Sequence, residues 1–170
     1  MALESFNRSF SLNIQPFEDG SFLASAKMED YFHNIGITLN VGGDDLVILE
    51  AEGAMEQVPY PESCVHSLAL LQRLVGAAIH RGISKRIAVD LGGPDGCPYL
   101  VELGLQVVRF VKVACSTQRA RRLILQDGDW DGFRALRANE MGECAGHQNV
   151  AADQLPQWLE KEEREKEQKL

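Results

Sequence analysis

Apolar and polar residues alternate along the first third of the chain. From Phe6 to Ile14 the even positions carry Phe6, Arg8, Phe10, Leu12 and Ile14, while Ser5, Asn7, Ser9, Ser11 and Asn13 fill the odd ones. One face every second residue is strand geometry. Glu18-Asp19-Gly20 has turn chemistry, and Phe22, Ala24, Ala26 and Met28 resume the alternation, so residues 5 to 29 predict a hairpin. After a polar break at Glu29 to Asn34, a third strand follows through Ile35, Ile37, Leu39 and Val41. Gly42-Gly43-Asp44-Asp45 then turns the chain into a fourth strand over Leu46 to Met55, whose apolar start predicts a more central place in the sheet.

Beyond Pro59 and Pro61 the period changes. Val65, Leu68, Leu71, Leu74, Val75, Ala78 and Ile79 recur at three- and four-residue steps up to Gly82, which predicts an amphipathic helix over about 62–81. Ser84 is placed to cap a short helix through Leu91, stopped by Gly92-Gly93. From Cys97 the apolar positions Leu100, Leu103, Val107, Phe110, Val111 and Ala114 mark the principal core helix, at about 98–115. Asp129 can cap a short helix carrying Trp130 and Phe133, Met141 to Val150 is a glycine-rich loop, and Trp158 to Leu170 is nearly all charge. Strands first and helices afterwards predict an α+β fold. A four-stranded antiparallel meander packs against two main helices, with a short helical C-terminal extension. One domain is expected over residues 1–150, with a charged tail at 151–170.

Charge and composition narrow the function classes. A formal charge of −8 and a pI near 5.0 exclude a general nucleic-acid-binding surface, which needs clustered cations to displace counterions. The one basic cluster, Arg119, Arg121 and Arg122, reads as a solvated helix end. No apolar run approaches a membrane span, and the start MALESFNRSF lacks a signal peptide's basic and apolar regions, so a cytoplasmic protein is expected. There the cysteines at 64, 97, 115 and 144 are expected to stay reduced.

The residues Pro59-Tyr60-Pro61, Cys64, Leu74-Val75-Gly76, Gly82, Leu91-Gly92-Gly93, Gly96-Cys97, Leu100 and Leu103 resemble a bacterial family known as domain of unknown function two-eight-eight-nine. The likeness runs from roughly Phe6 to Ala114. It implies an alternating N-terminal region with a DG turn, an acidic strand end like Glu50-Ala51-Glu52, a proline-flanked cysteine and a Gly-Cys helix start. It also implies a small residue and then His after that second cysteine, where this chain has Pro98 and Tyr99. The resemblance carries no established activity.

Candidate chemistry gathers at two helix starts. Pro98 suits a first helical position and disfavours the α region before it, so Cys97 is the expected N-cap, facing the open N–H groups of Tyr99 and Leu100. Those donors favour a thiolate, the nucleophilic and metal-binding form. Pro61 places Cys64 in the opening turn of another helix, making it the partner thiol. Gly93, Gly96 and Tyr99 border the same start as a candidate anion or cofactor cradle. No Lys-Ser or Lys-Thr follows the glycines, which excludes a P-loop.

Cys64-x-His66 and Cys144-x-x-His147 are chelating pairs. With Cys97 they would furnish a zinc or iron–sulfur site. Glu50 and Glu52 share one strand face, as either an acid–base pair or solvent-facing carboxylates. Two readings stand. One is a thiol or metal-thiolate protein using Cys97 and Cys64. The other is a non-catalytic module that binds a small molecule or a protein, with structural cysteines. Whether the protein is an enzyme or a homo-oligomer stays open.

Overall fold

The computed structural model describes residues 5–43 and 45–140. Its order is β1 (Arg8–Pro16), β2 (Phe22–Asp30), β3 (Asn34–Gly42), β4 (Val47–Gln57), α1 (Pro61–Cys64), a 3₁₀ helix (Val65–Leu74), α2 (Ile83–Asp90), α3 (Pro98–Leu125) and α4 (Trp130–Glu140). The strands form one antiparallel sheet in the order β1-β2-β3-β4, so the α+β architecture matches the expectation. Gly20, at φ 84°, closes the first turn, and Asp19 Oδ1 accepts the Ser21 N–H at 2.9 Å.

The buried sheet face is the one that the alternation marked. Phe22, Ala24, Ala26 and Met28 of β2 stand beside Ile35, Ile37, Leu39 and Val41 of β3, all buried. β1 is the exception: Phe10 and Leu12, although on its apolar face, keep 36% and 37% of their surface exposed. They lie in register with buried Met28 and Ala26, but β1 is an edge strand with a neighbour on one side only. β4 stands at the other end of the strand order rather than at its centre. A register shift between Asn40 and Val41 pairs Asn40 with Glu50 and Val41 with Ile48, which leaves Leu49 unpaired and exposed.

The helix expected over 62–81 is shorter and tighter than its period suggests. One α turn gives way to the 3₁₀ helix, which ends at Leu74, and Val75 turns extended at ψ 137° with 38% of its surface exposed. The reason lies in β4. Ile48 is fully buried, so its N–H and C=O need partners, and residues 76–79 provide them. Ile48 N–H donates to Ala77 O at 2.9 Å, Gly76 N–H to Ile48 O at 2.8 Å, and Ile79 N–H to Leu46 O at 2.9 Å. Ala77 and Ile79 point inward at a two-residue spacing, a pattern also compatible with the helical reading of the sequence. Gly82, at φ 101°, is the N-cap of α2 in place of Ser84.

Leu68 and Leu71 pass over Gly53 of β4 so closely that an added Cβ would stand 2.9 and 2.7 Å from their methyl carbons. Ile83, Ile87 and Leu91, on or just after α2, are buried with Leu100, Leu103, Val107, Val108 and Val111 of α3. Two compact units divide the chain, Met1–Ala114 and Cys115–Leu170. In the second, Ile124 and Phe133 form a small apolar cluster with Ala120, Leu123 and Leu125, and Asp129 caps α4 by accepting the Gly132 N–H at 2.8 Å. Among the described residues, no helix is long and apolar enough to cross a membrane.

Candidate functional site

Cys97 immediately precedes α3, as Pro98 requires. Its N–H donates to Leu91 O at 2.9 Å, and its carbonyl accepts the Val101 N–H at 3.1 Å. The loop before it is pinned by Gly96 N–H donating to Gly93 O at 3.1 Å. Gly96 has a local reason to be glycine: a Cβ there would collide with the carbonyl oxygens of Leu91 and Gly92, at 2.3 and 2.4 Å. Cys64 closes α1, whose first residue is Pro61, and its N–H donates to Tyr60 O at 2.8 Å. Both cysteines are free thiols, half-buried.

The two helix starts share one cleft of about 640 Å³. Cys64, His66, Cys97, Gly96 and Tyr99 all line it, so most of the residues singled out in the sequence come together there. Ile35, Met55, Val58, Pro59 and Leu70 give it apolar walls. Gly93 does not line it, although it accepts the Gly96 N–H in the adjoining turn. Cys144 and His147 lie outside the described residues. Among the described residues, no three His, Cys, Asp or Glu side chains group closely enough to hold a metal ion. Glu50 and Glu52 are exposed, and Glu50 accepts the Asn40 side-chain amide at 3.3 Å.

His33, which the residue pattern alone did not single out, also lines the cleft. In the β2–β3 turn, the Asp30 carboxylate has no exposed side-chain surface and is bound on every side. Oδ1 accepts the N–H groups of Phe32 and His33 at 2.8 and 2.9 Å and lies 3.0 Å from His33 Nδ1. Oδ2 accepts Nε and an Nη of Arg8 at 2.9 and 2.7 Å. Burial alone would raise the Asp30 pKa; the hydrogen bonds from Phe32, Arg8 and His33 outweigh it and lower it to about 2. The carboxylate is therefore ionised and accepts only, so His33 Nδ1 is the donor in this contact. On its other side, the imidazole packs on Tyr99 with ring centroids 4.3 Å apart, and the Arg8 guanidinium lies 4.9 Å from the centre of the same phenol ring. A signal was present in the sequence: Asp30-x-x-His33 between two strands is the spacing at which a turn aspartate receives the next N–H groups.

No curated protein and no solved structure shows a significant match to the chain. A family model described as Protein of unknown function (DUF2889) matches residues 14–112, which take in His33, Cys64, His66, Cys97 and Tyr99. A match of that extent, over more than half of the chain and across the whole of the cleft's lining, makes this protein a member of the DUF2889 family.

Proposed function

We propose that this is a thiol protein in which Cys97, with Cys64 as partner, acts on a small organic molecule held in the cleft. One observation carries the reading: two cysteines, one just before α3 and one at the end of α1, line the same partly apolar cavity. A thiol beside the first N–H groups of a long helix sits where negative charge is favoured. Such a cavity, with apolar walls and a few polar groups converging on it, is the usual form of a small-molecule site. The metal-thiolate form of the reading draws on Cys64, His66 and Cys97 together with Cys144 and His147. Zinc and iron analysis of protein purified without chelator tests it.

Iodoacetamide labelling at neutral pH, followed by peptide mass spectrometry, tests the thiol reading. Cys97 is expected to label much faster than Cys115, a residue within α3 whose thiol pKa is pushed up by burial. Equal, slow labelling of the two would sink the thiol reading and leave the second one, a non-catalytic ligand-binding module. The apolar walls of the cleft favour that alternative.

A further inference from the structure

The His33 imidazole is one of several partners on the Asp30 carboxylate. A buried carboxylate in a turn is fully satisfied by the two backbone N–H groups and the Arg8 guanidinium; the imidazole is an additional partner on Oδ1. Its placement has a chemical consequence. With Nδ1 donating to Asp30, the ring presents its basic nitrogen Nε2 away from the carboxylate, and the ring itself is part of the cleft wall. Tyr99, against which the ring packs, lies in the first turn of α3, two residues beyond Cys97.

We propose that His33 is the proton acceptor of the cleft, taking the proton of the Cys97 thiol directly or through one water, with Asp30 as its positioning residue. This rests on the thiol reading of the cleft. The step is an ordinary nucleophilic one. The S–H bond of Cys97 breaks, its proton goes to His33 Nε2, and the thiolate pair forms a bond to an electrophilic carbon of a bound organic molecule as that carbon's bond to its leaving group breaks, the leaving group taking the bonding pair. With iodoacetamide as the electrophile, the C–S bond forms, the C–I bond breaks, iodide leaves, and the imidazolium returns its proton to solvent. The groups that face His33 are Asp30 from β2 and Tyr99 from α3, with Arg8 of β1 behind Asp30. Cys64, His66, Asp95 and Cys97 border the same space.

The test is the pH profile of iodoacetamide labelling at Cys97 in the full chain, for the native protein, His33→Gln and Asp30→Asn, with Cys115 as internal reference. The expected result is a fall of about tenfold or more at pH 7 in His33→Gln, a smaller fall in Asp30→Asn, and convergence of the three Cys97 rates at alkaline pH, where hydroxide takes the proton in place of His33. Fast native labelling with an unchanged profile in His33→Gln would overturn the role of His33 and leave the thiol reading standing. Native Cys97 labelling no faster than Cys115 would overturn both. Should Cys115 also accelerate in His33→Gln, the fold has opened, and Asp30→Asn then decides by the same two criteria.

Discussion

A Cβ added to Gly104 would stand 2.9 Å from Ile87 Cγ2 and 3.4 Å from Leu91 Cδ1. The backbone of α3 thus rests directly on α2, and Ile87 is fully buried. Gly104→Val is expected to cost about 2 kcal/mol through overpacking, more than the helix propensity it gains. A urea titration reads this as a lower midpoint with an unchanged slope; a midpoint equal to the native one would show that α2 can move away at little cost.

Asp30 makes stability depend on acid. Its folded pKa of about 2 lies below the ordinary value of 3.8, so its contribution is complete above about pH 5 and is lost as the pH falls through 2. The difference corresponds to about 2 kcal/mol. Between pH 5 and pH 2 the native protein should lose about that much more stability than Asp30→Asn, as measured by urea denaturation at each pH. Parallel losses in the two proteins would count against an ionised Asp30 at the turn.

Cys97 offers a comparison of two substitutions. Serine at a helix N-cap serves at least as well as cysteine, whereas alanine forfeits about 1 kcal/mol. Cys97→Ser is therefore expected to melt above Cys97→Ala, and neither should label at that position. The reverse order would mean that residue 97 sits in a dry packing site where a hydroxyl goes unpaired.

Burial distinguishes the edge strand β1 from the core of α3. Leu103 is fully buried, and Leu103→Ala should cost about 2–5 kcal/mol. Phe10 is over a third exposed on the edge strand, and Phe10→Ala is expected to cost well under that range despite removing a larger side chain. Thermal melts of the two variants make the comparison, and equal losses would place Phe10 in a covered core.

The parts that the sequence made legible are those decided by short-range periodicity. Alternation located all four strands and the face that β2 and β3 bury, and Pro98 located the start of α3. Where long-range demands prevailed, periodicity misled. Val75 to Ile79 fit a helical stripe as well as a strand, and the open edge of β4 decided between them. The meeting of Cys64 with Cys97 was foreseeable only as a condition on where two helices begin. His33 was missed because its significance comes from a partner three residues earlier and from Tyr99, far along the chain.

The order of the sheet, β1-β2-β3-β4, also sets the order of assembly. Each strand pairs with its neighbour in sequence through a tight turn, so the meander closes only short loops and can zip up early. The cleft cannot, because it needs residues from His33 to Tyr99 and a docked α3. The residues that line the cleft are then expected to come together last in folding and to part first in unfolding. In native-state hydrogen exchange, the N–H groups of Cys97 and Val101 should open at lower free energy than those of Ile37 and Leu39 in the middle of β3.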